Sequence, residues 1–523
     1  MSTHPNLVEA MSKPDFYPHR PPTVELVQTH ISFVFIAGDL VYKVKKAVDF
    51  GFLDFTTLAK RKYFCEEELR LNRRLAPQTY LEVAAIGEDE GGALRPGGGR
   101  PIEYAVVMKK LPLERMLKKL LAEGKVGPAD MDAVAGKVAD FHRKAETGGE
   151  IDEVGGIETI RYNHDENFAQ TEKYIGLTIP RERYDFLRDW VNRFLERERP
   201  LLQRRVRDHR IRDCHGDLHA EHICLADGII IFDCIEFNKR FRYGDVAAEA
   251  AFLAMDLDFN GYADHARAFV DAYVRHSGDG EVLRLLDFYR CYYAYVRGKV
   301  ISFRVDDPHI GCADRDAAAR MAACYFDLAL SYAARPANKT LILVAGLMGT
   351  GKSVLARALA PLVGADIIQT DAVRKEMLRI PASEHHDEEF GQGIYSPDTS
   401  RRTYEKALEI ALDKLKTAGA VIIDASYKDR EERLRAFEAG RRAGADVFFL
   451  ECTCPEDIIE KRLQSRQSGG GDVSDGRWEI FQAQKGNYER IDEIPEERHL
   501  AVDTSLAAEE NAFRVLKKMF GLG

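Results

Sequence analysis

Thr340-Leu-Ile-Leu-Val-Ala-Gly-Leu-Met-Gly-Thr-Gly-Lys-Ser353 is the stretch that decides the fold of the second half of the chain. Leu341 to Ala345 is an unbroken apolar run, as expected of a strand buried on both faces. Gly346, Gly349 and Gly351 follow, and Lys352 and Ser353 open a helix that continues through Val354, Leu355, Ala358 and Leu359. This is G-x-x-x-x-G-K-[ST] in a strand–loop–helix setting. Such a loop presents backbone N–H groups and a helix N-terminus to a polyphosphate. Lys352 is placed for the β/γ-phosphates and Ser353 for Mg²⁺. The spacing predicts a nucleotide site built from Gly346, Gly349, Thr350, Gly351, Lys352 and Ser353.

Outward from this loop, strands and helices alternate. Leu341–Ala345, a helix over 352–363, Asp366–Gln369, a helix over 401–417, Ala420–Asp424, a helix over 429–443, Val447–Cys452 and a helix over 455–466 follow one another. That order predicts an α/β doubly wound fold with a parallel sheet. Val421-Ile-Ile-Asp424 ends a buried strand in a carboxylate, the expected place of a ligand to Mg²⁺ or its water, with Ser426 and Arg430 at the same mouth. Arg462 and Arg466 lie four apart on one helical face ahead of Gly469-Gly-Gly471. They read as lid arginines that neutralise transition-state charge, or as a solvated basic face.

Before the loop, Ser331-Tyr-Ala-Ala-Arg-Pro-Ala-Asn-Lys339 reads as a linker. It predicts domains over 1–335 and 336–523. The first begins with strands at Val24–Gln28, Ser32–Ile36 and Leu40–Lys45, a helix from Leu58 to Leu75, and a strand pair at Leu81–Ile86 and Ile102–Met108 joined through the Gly-rich turn Gly91–Gly99. From Leu113 onward the pattern is mainly helical, so the domain is α+β. Within it, His215-Gly-Asp-Leu-His219 precedes Ile223-Cys-Leu225 and Gly228-Ile-Ile-Ile-Phe-Asp233-Cys-Ile-Glu236. An Asp in a tight loop can accept a hydroxyl proton, and an Asp closing the next strand can hold Mg²⁺ against phosphates. Structural histidines with a capping Asp are the alternative.

The His215–Asp233 run resembles the catalytic segment of the aminoglycoside phosphotransferase and choline kinase group, whose fold is protein-kinase-like. The resemblance covers roughly residues 20–330. It implies Asp217 as catalytic base and Asp233 as metal ligand. His222 stands where the family usually has Asn, a second metal ligand. Gly244-Asp245-Val246 resembles a downstream segment, with Glu249 where Asp is commoner, and both acids read as structural caps. Val41-Tyr-Lys-Val44 resembles the strand that carries the ATP-phosphate lysine. Lys43 is the first choice, Lys45 on the same strand face the alternative, and Glu68 the expected ionic partner. Ala105-Val-Val-Met-Lys109 resembles the hinge that reads the base, with Met108 in it. A G-x-G-x-x-G loop is absent, and His30-Ile-Ser32 occupies its place. In the second domain, Asp371-Ala-Val-Arg374 resembles small-molecule P-loop kinases such as gluconate and adenylylsulfate kinases, and also zeta toxins and polynucleotide 5′-kinases. There Asp371 would orient an acceptor hydroxyl and Arg374 would bind an anionic part of it. A helix-capping Asp with a surface Arg is the bland reading.

Composition bounds these readings. A chain of 523 residues with 45% hydrophobic and 31% charged residues is ordinary for a soluble multidomain protein. A net charge of −10 argues against a general nucleic-acid or membrane binder. Nine scattered cysteines do not form a disulfide framework. The start has no basic segment followed by an apolar one, and no apolar run reaches spanning length, so the cytoplasm is expected. Together the motifs predict an ATP- or GTP-dependent, Mg²⁺-assisted phosphotransferase acting on a small molecule with a hydroxyl group. A zeta-toxin-like or polynucleotide kinase with a regulatory nucleotide-binding N-terminal domain is the alternative.

Overall fold

A computed structural model of the chain describes residues 6–381, 393–469 and 478–522. The chain divides into two compact units, one of Met1–Gln170 with Phe194–Arg297 and one of Thr171–Arg193 with Gly298–Gly523.

The first unit opens with an antiparallel sheet. Its strands are β1 Val24–Gln28, β2 Ser32–Ala37, β3 Leu40–Lys45, β4 Tyr80–Glu88, β5 Leu94–Pro96 and β6 Arg100–Lys109, in the order β1-β2-β3-β6-β4-β5. Alternation sorts the two faces. Tyr42 and Val44 of β3 join Phe35, Ala105 and Val107 in a core closed by the N-terminal segment through Leu7, Met11 and Tyr17. The opposite face carries Lys43 and Lys45 toward Glu68 of the helix Leu58–Asn72. The Gly91–Gly99 turn is more than a turn: it contains β5, because buried Leu94 gives the short strand a place in the same core. The rest of the unit is mostly helical. Two small pairings interrupt it: β7 Ile211–Asp213 with β10 Tyr243–Asp245, and the hairpin β8 Ile223–Ala226 with β9 Gly228–Ile231.

The second unit holds a five-stranded parallel sheet. Its strands are β11 Thr340–Ala345, β12 Ala365–Gln369, β13 Ala420–Asp424, β14 Asp446–Thr453 and β15 His499–Asp503, in the order β12-β13-β11-β14-β15. Every residue of β11 and β13 is buried, as their apolar runs require. Half-polar β15 is an edge strand that hydrophobicity does not announce. By compactness, residues 171–193 and 298–335, placed in the first domain by the linker reading, group with this unit. Phe186 packs 6.1 Å from Phe513 and 6.0 Å from Phe520, and Arg183 pairs with Asp327 and, at 3.0 Å, with Glu509. Among the described residues no helix is long and apolar enough to cross a membrane, and all nine cysteines are free.

Candidate active sites

In the first unit, β3 places both candidate lysines at one carboxylate. Lys43 Nζ lies 2.9 Å from Glu68 Oε1 and 2.6 Å from Asp233 Oδ1. Lys45 Nζ lies 2.7 Å from Glu68 Oε2 and also bonds Glu236. Glu68 is fully buried, and Lys45 is buried behind Lys43. Burial works against the Lys43 charge, but Asp233, Glu68 and Glu236 outweigh it and hold its ammonium well above the ordinary lysine value. Burial likewise opposes the Asp233 charge, and Lys43 and His222 reverse the balance, so its carboxyl sits well below the usual range. Asp233 has φ +63°, and its N–H donates to Tyr80 Oη at 3.2 Å. Such a strained conformation persists where the surroundings over-determine it.

The loop after β7 carries Asp217, the expected base. Gly216 has φ +87°, and a Cβ there would stand 2.9 Å from the Phe241 carbonyl, so the turn needs glycine. The loop backbone is held from below. His215 and Gly216 N–H both donate to Glu249 Oε1 at 2.7 Å. The other Glu249 oxygen is 2.6 Å from His142 Nε2, and His142 Nδ1 is 2.7 Å from Tyr273 Oη. His215 Nε2 lies 2.9 Å from the Phe232 carbonyl, which ties the loop to the end of β9. Asp217 Oδ2 then stands 3.6 Å from both His219 Nε2 and His222 Nδ1. Burial raises the Asp217 carboxyl, but the hydrogen bond from His219 and the field of His222 bring it down to about 2. His222 Nε2 is 3.6 Å from Asp233 Oδ2, so the two expected metal ligands face one gap. A carboxylate and an imidazole there suit a divalent cation, with a softer donor set than two oxygens. Met108 pairs in register with Val41 and Tyr80, and its side chain packs beside Cys65 and Val106.

In the second unit the loop is closed by contact as well as by torsion. Gly346, Gly349 and Gly351 have φ of +137°, +78° and +83°. A Cβ at Gly346 would meet the Cys452 carbonyl at 2.6 Å, and one at Gly349 would meet Ile459 at 2.8 Å. Lys352 Nζ bends back to donate to the Leu347 carbonyl at 3.0 Å, and Thr350 Oγ1 donates to the same oxygen at 2.7 Å. Ser353 Oγ donates to Asp424 Oδ2 at 2.5 Å, so the predicted ligands are neighbours. Their all-oxygen donors fit Mg²⁺.

Asp371 and Arg374 sit one turn apart in the helix Thr370–Met377, paired at 2.5 Å. The helix is capped at Gln369 with no side-chain bond, which removes the capping reading of Asp371. Arg374 is buried, 4.8 Å from the Tyr395 ring centroid, which removes the surface-Arg reading too. Arg462 Nη2 donates to the Thr504 carbonyl at 2.7 Å, and Nη1 reaches Cys454 Sγ at 3.5 Å. Its Nη1 would lie 3.3 Å from a Cβ on Gly351, so it flanks the loop. Arg466 continues the same helix, and its side chain lies outside the described residues, as do Gly470 and Gly471. Arg430 turns away from the mouth to pair with Asp492 at 2.8 Å.

Two families match these two sites. Residues 56–290 match the phosphotransferase enzyme family, and residues 341–491 match an AAA domain. Uncharacterized protein Rv2004c of Mycobacterium tuberculosis is 32% identical over 454 residues, which cover 87% of this chain and 88% of that protein. Uncharacterized protein Mb2027c of Mycobacterium bovis matches to the same extent. The chain belongs to this two-domain family, a phosphotransferase domain followed by a P-loop kinase-like domain. A choline/ethanolamine kinase family protein from Mesorhizobium loti is 15% identical, covering 62% of this chain and 98% of that one with a TM-score of 0.35. A gluconokinase from Sinorhizobium meliloti 1021 is 19% identical, covering 36% and 95%, with a TM-score of 0.25.

In the phosphotransferase domain, the sequence pattern assigns no role to Glu236 and a capping role to Glu249. Glu236 closes the lysine network, and its only signal was its place three residues beyond Asp233. Glu249 is not a cap: it holds the loop that carries Asp217 through two N–H groups. Asp245 does cap the helix Val246–Phe259, accepting from Ala247 N at 2.8 Å, and also grips Arg205 in a two-pronged pair. On the helix Val282–Phe303, Arg290 is buried beside Asp258 and Asp287.

Proposed function

We propose that this chain is a bifunctional phosphotransferase whose two domains each move the terminal phosphoryl group of ATP or GTP onto a hydroxyl group of a small metabolite. The observation that carries the reading is the meeting of Lys43 and Asp233, 190 residues apart in the chain, in a site that also holds Asp217. In the phosphotransferase domain, Asp217 takes the acceptor's proton as its oxygen attacks phosphorus, and the bond to the nucleoside diphosphate breaks. Its carboxyl, held down at about 2, is ionised at neutral pH and ready to accept. Lys43 supplies charge to the phosphates, and Glu68 positions it. Asp233 and His222 would hold Mg²⁺ here, as Ser353 and Asp424 would in the P-loop domain. Mg²⁺ held there would supply positive charge against the phosphates.

In the P-loop domain, Lys352 binds the β/γ-phosphates, Asp371 orients the acceptor hydroxyl and Arg374 binds an anionic part of it. Arg462 and Arg466 balance developing charge. Arg374 is paired with Asp371 and Arg401 with Asp398, which favours a small acceptor over a polynucleotide that needs a continuous basic groove. One observation favours a regulatory role for the first domain. The turn between β1 and β2 is only three residues long, tied by Ser32 N–H to Thr29 Oγ1 at 2.9 Å, and leaves no Gly-rich cover for phosphates.

The test is transfer of labelled phosphate from ATP and GTP into a metabolite library by the full chain, by Asp217→Asn and by Lys352→Ala. Each substitution is expected to remove one set of labelled products. Products untouched by Lys352→Ala and by Asp217→Asn alike would refute both site assignments. A full product set lost to Lys352→Ala alone would leave the first domain as a regulatory module.

A further inference from the structure

Asp217, His219 and His222 lie on one short stretch between β7 and β8, and their side chains meet. Asp217 Oδ2 is 3.6 Å from His219 Nε2 and 3.6 Å from His222 Nδ1. The two imidazole rings stand 4.0 Å apart, centroid to centroid. One donor atom from each residue lies within 4.8 Å of the other two. Donors held at about 2.1 Å from one tetrahedral ion stand roughly 3.4 Å apart, so small side-chain shifts close the cluster on a cation. Asp233 Oδ2 lies 3.6 Å from His222 Nε2.

The donor chemistry differs from that of a magnesium site. Two imidazoles and a carboxylate suit zinc and its borderline neighbours, whereas Mg²⁺ prefers oxygen throughout. His219 is buried, His222 is nearly so, and one third of the Asp217 side chain is exposed, which leaves an entry path. His222 Nδ1, 2.9 Å from the Asp217 backbone carbonyl, donates there, and this outer contact orients the ring and leaves Nε2 as its ligating nitrogen. A second trio, His142, Cys214 and Glu249, also meets distance requirements. It is wholly buried and already committed: Glu249 carries the loop N–H groups and His142, and Cys214 Sγ donates to the Gly244 carbonyl.

We propose that Asp217, His219 and His222 form a binding site for a borderline divalent cation of the Zn²⁺ or Co²⁺ class. The ion would occupy the carboxylate that phosphoryl transfer uses as proton acceptor, so it acts as a brake on the phosphotransferase domain. The binding stands on geometry and donor type, and only the brake rests on the kinase reading above.

Co²⁺ is added to the full chain in excess Mg²⁺, its visible absorption is followed, and Zn²⁺ is then titrated by calorimetry. Wild type is expected to give the intensified visible bands of a low-coordinate site, displaced by one equivalent of Zn²⁺. Asp217→Asn and His222→Asn, checked for unchanged melting, should each weaken Zn²⁺ binding about tenfold or more. No saturable binding, affinities unchanged in both variants, or a sulfur-to-cobalt charge-transfer band would overturn the site, the last by placing the ion at a cysteine. Binding as expected, with nucleotide turnover by this domain indifferent to Zn²⁺, would keep the site and overturn Asp217 as the base.

Discussion

His164, in the helix Ile157–Thr171, is enclosed by aromatic rings, with Tyr292 at 4.9 Å and Phe288 at 5.1 Å. Burial, with a smaller push from Arg161, lowers its pKa to about 3, and its Nε2 has no hydrogen-bond partner among the described residues. In the unfolded chain it titrates near 6.5, so below that pH the unfolded state takes a proton that the folded state refuses. Its contribution to stability is complete above about pH 6.5 and declines as pH falls from there toward 3. At pH 5 the decline amounts to about 2 kcal/mol. His164→Phe should therefore lose less stability than wild type between pH 7.5 and 5 in urea denaturation. Parallel curves for the two proteins would mean that the ring is not held neutral. At the same scale, the family resemblance ranks Lys43 ahead of Lys45, while strand periodicity puts both on one face. The fold uses both: Lys43 faces Asp233, and Lys45 locks Glu68 and Glu236 behind it.

The loop that carries Asp217 is held to the helix Val246–Phe259 by Glu249 and by Asp256, whose Oδ2 accepts from Ala220 N–H at 2.9 Å. Glu249 Oε1 accepts two backbone N–H bonds, and its other oxygen is fixed by His142. Glu249→Gln keeps an acceptor oxygen but removes the charge that strengthens those bonds, at a cost of about 2 kcal/mol. We expect a lower melting temperature together with a kcat loss far larger than any change in nucleotide affinity, because the loop carries the proposed base Asp217 and not Lys43, the proposed phosphate-binding lysine. Equal losses in affinity and turnover would show that the contact serves folding alone. The P-loop is held in both ways: three glycines with positive φ bend it, and Cys452, Ile459 and Thr504 crowd the space where their Cβ atoms would stand.

Across the whole molecule, the two predicted nucleotide sites are built from separate sets of elements, β3 with the β7–β9 segment in one unit and β11 with β13 in the other. Mutations that share no partner add independently. Calorimetry of the full chain with Mg²⁺–nucleotide should find two equivalents, Lys352→Ala should leave one, and adding Asp233→Asn should weaken the remaining one. A single equivalent in wild type, lost in Lys352→Ala, would leave the phosphotransferase domain without a nucleotide.

The sequence by itself determined what short-range patterns can carry. The strands of both sheets, apart from β5 and β15, follow from apolar runs and alternation. The P-loop follows from glycine spacing before Lys352 and Ser353, and the Asp217–Asp233 pair from a compact motif beside a hairpin. Only the tertiary structure decided that Glu236 completes the lysine network and that Glu249 carries the loop rather than capping a helix. It also decided that Arg462 belongs to Thr504, and that the 171–193 segment covers the last helix of the second unit. The reason is physical. An ion pair or an aromatic contact between residues far apart in the chain has no period and no spacing in the sequence, and exists only once the backbone has brought its two halves together.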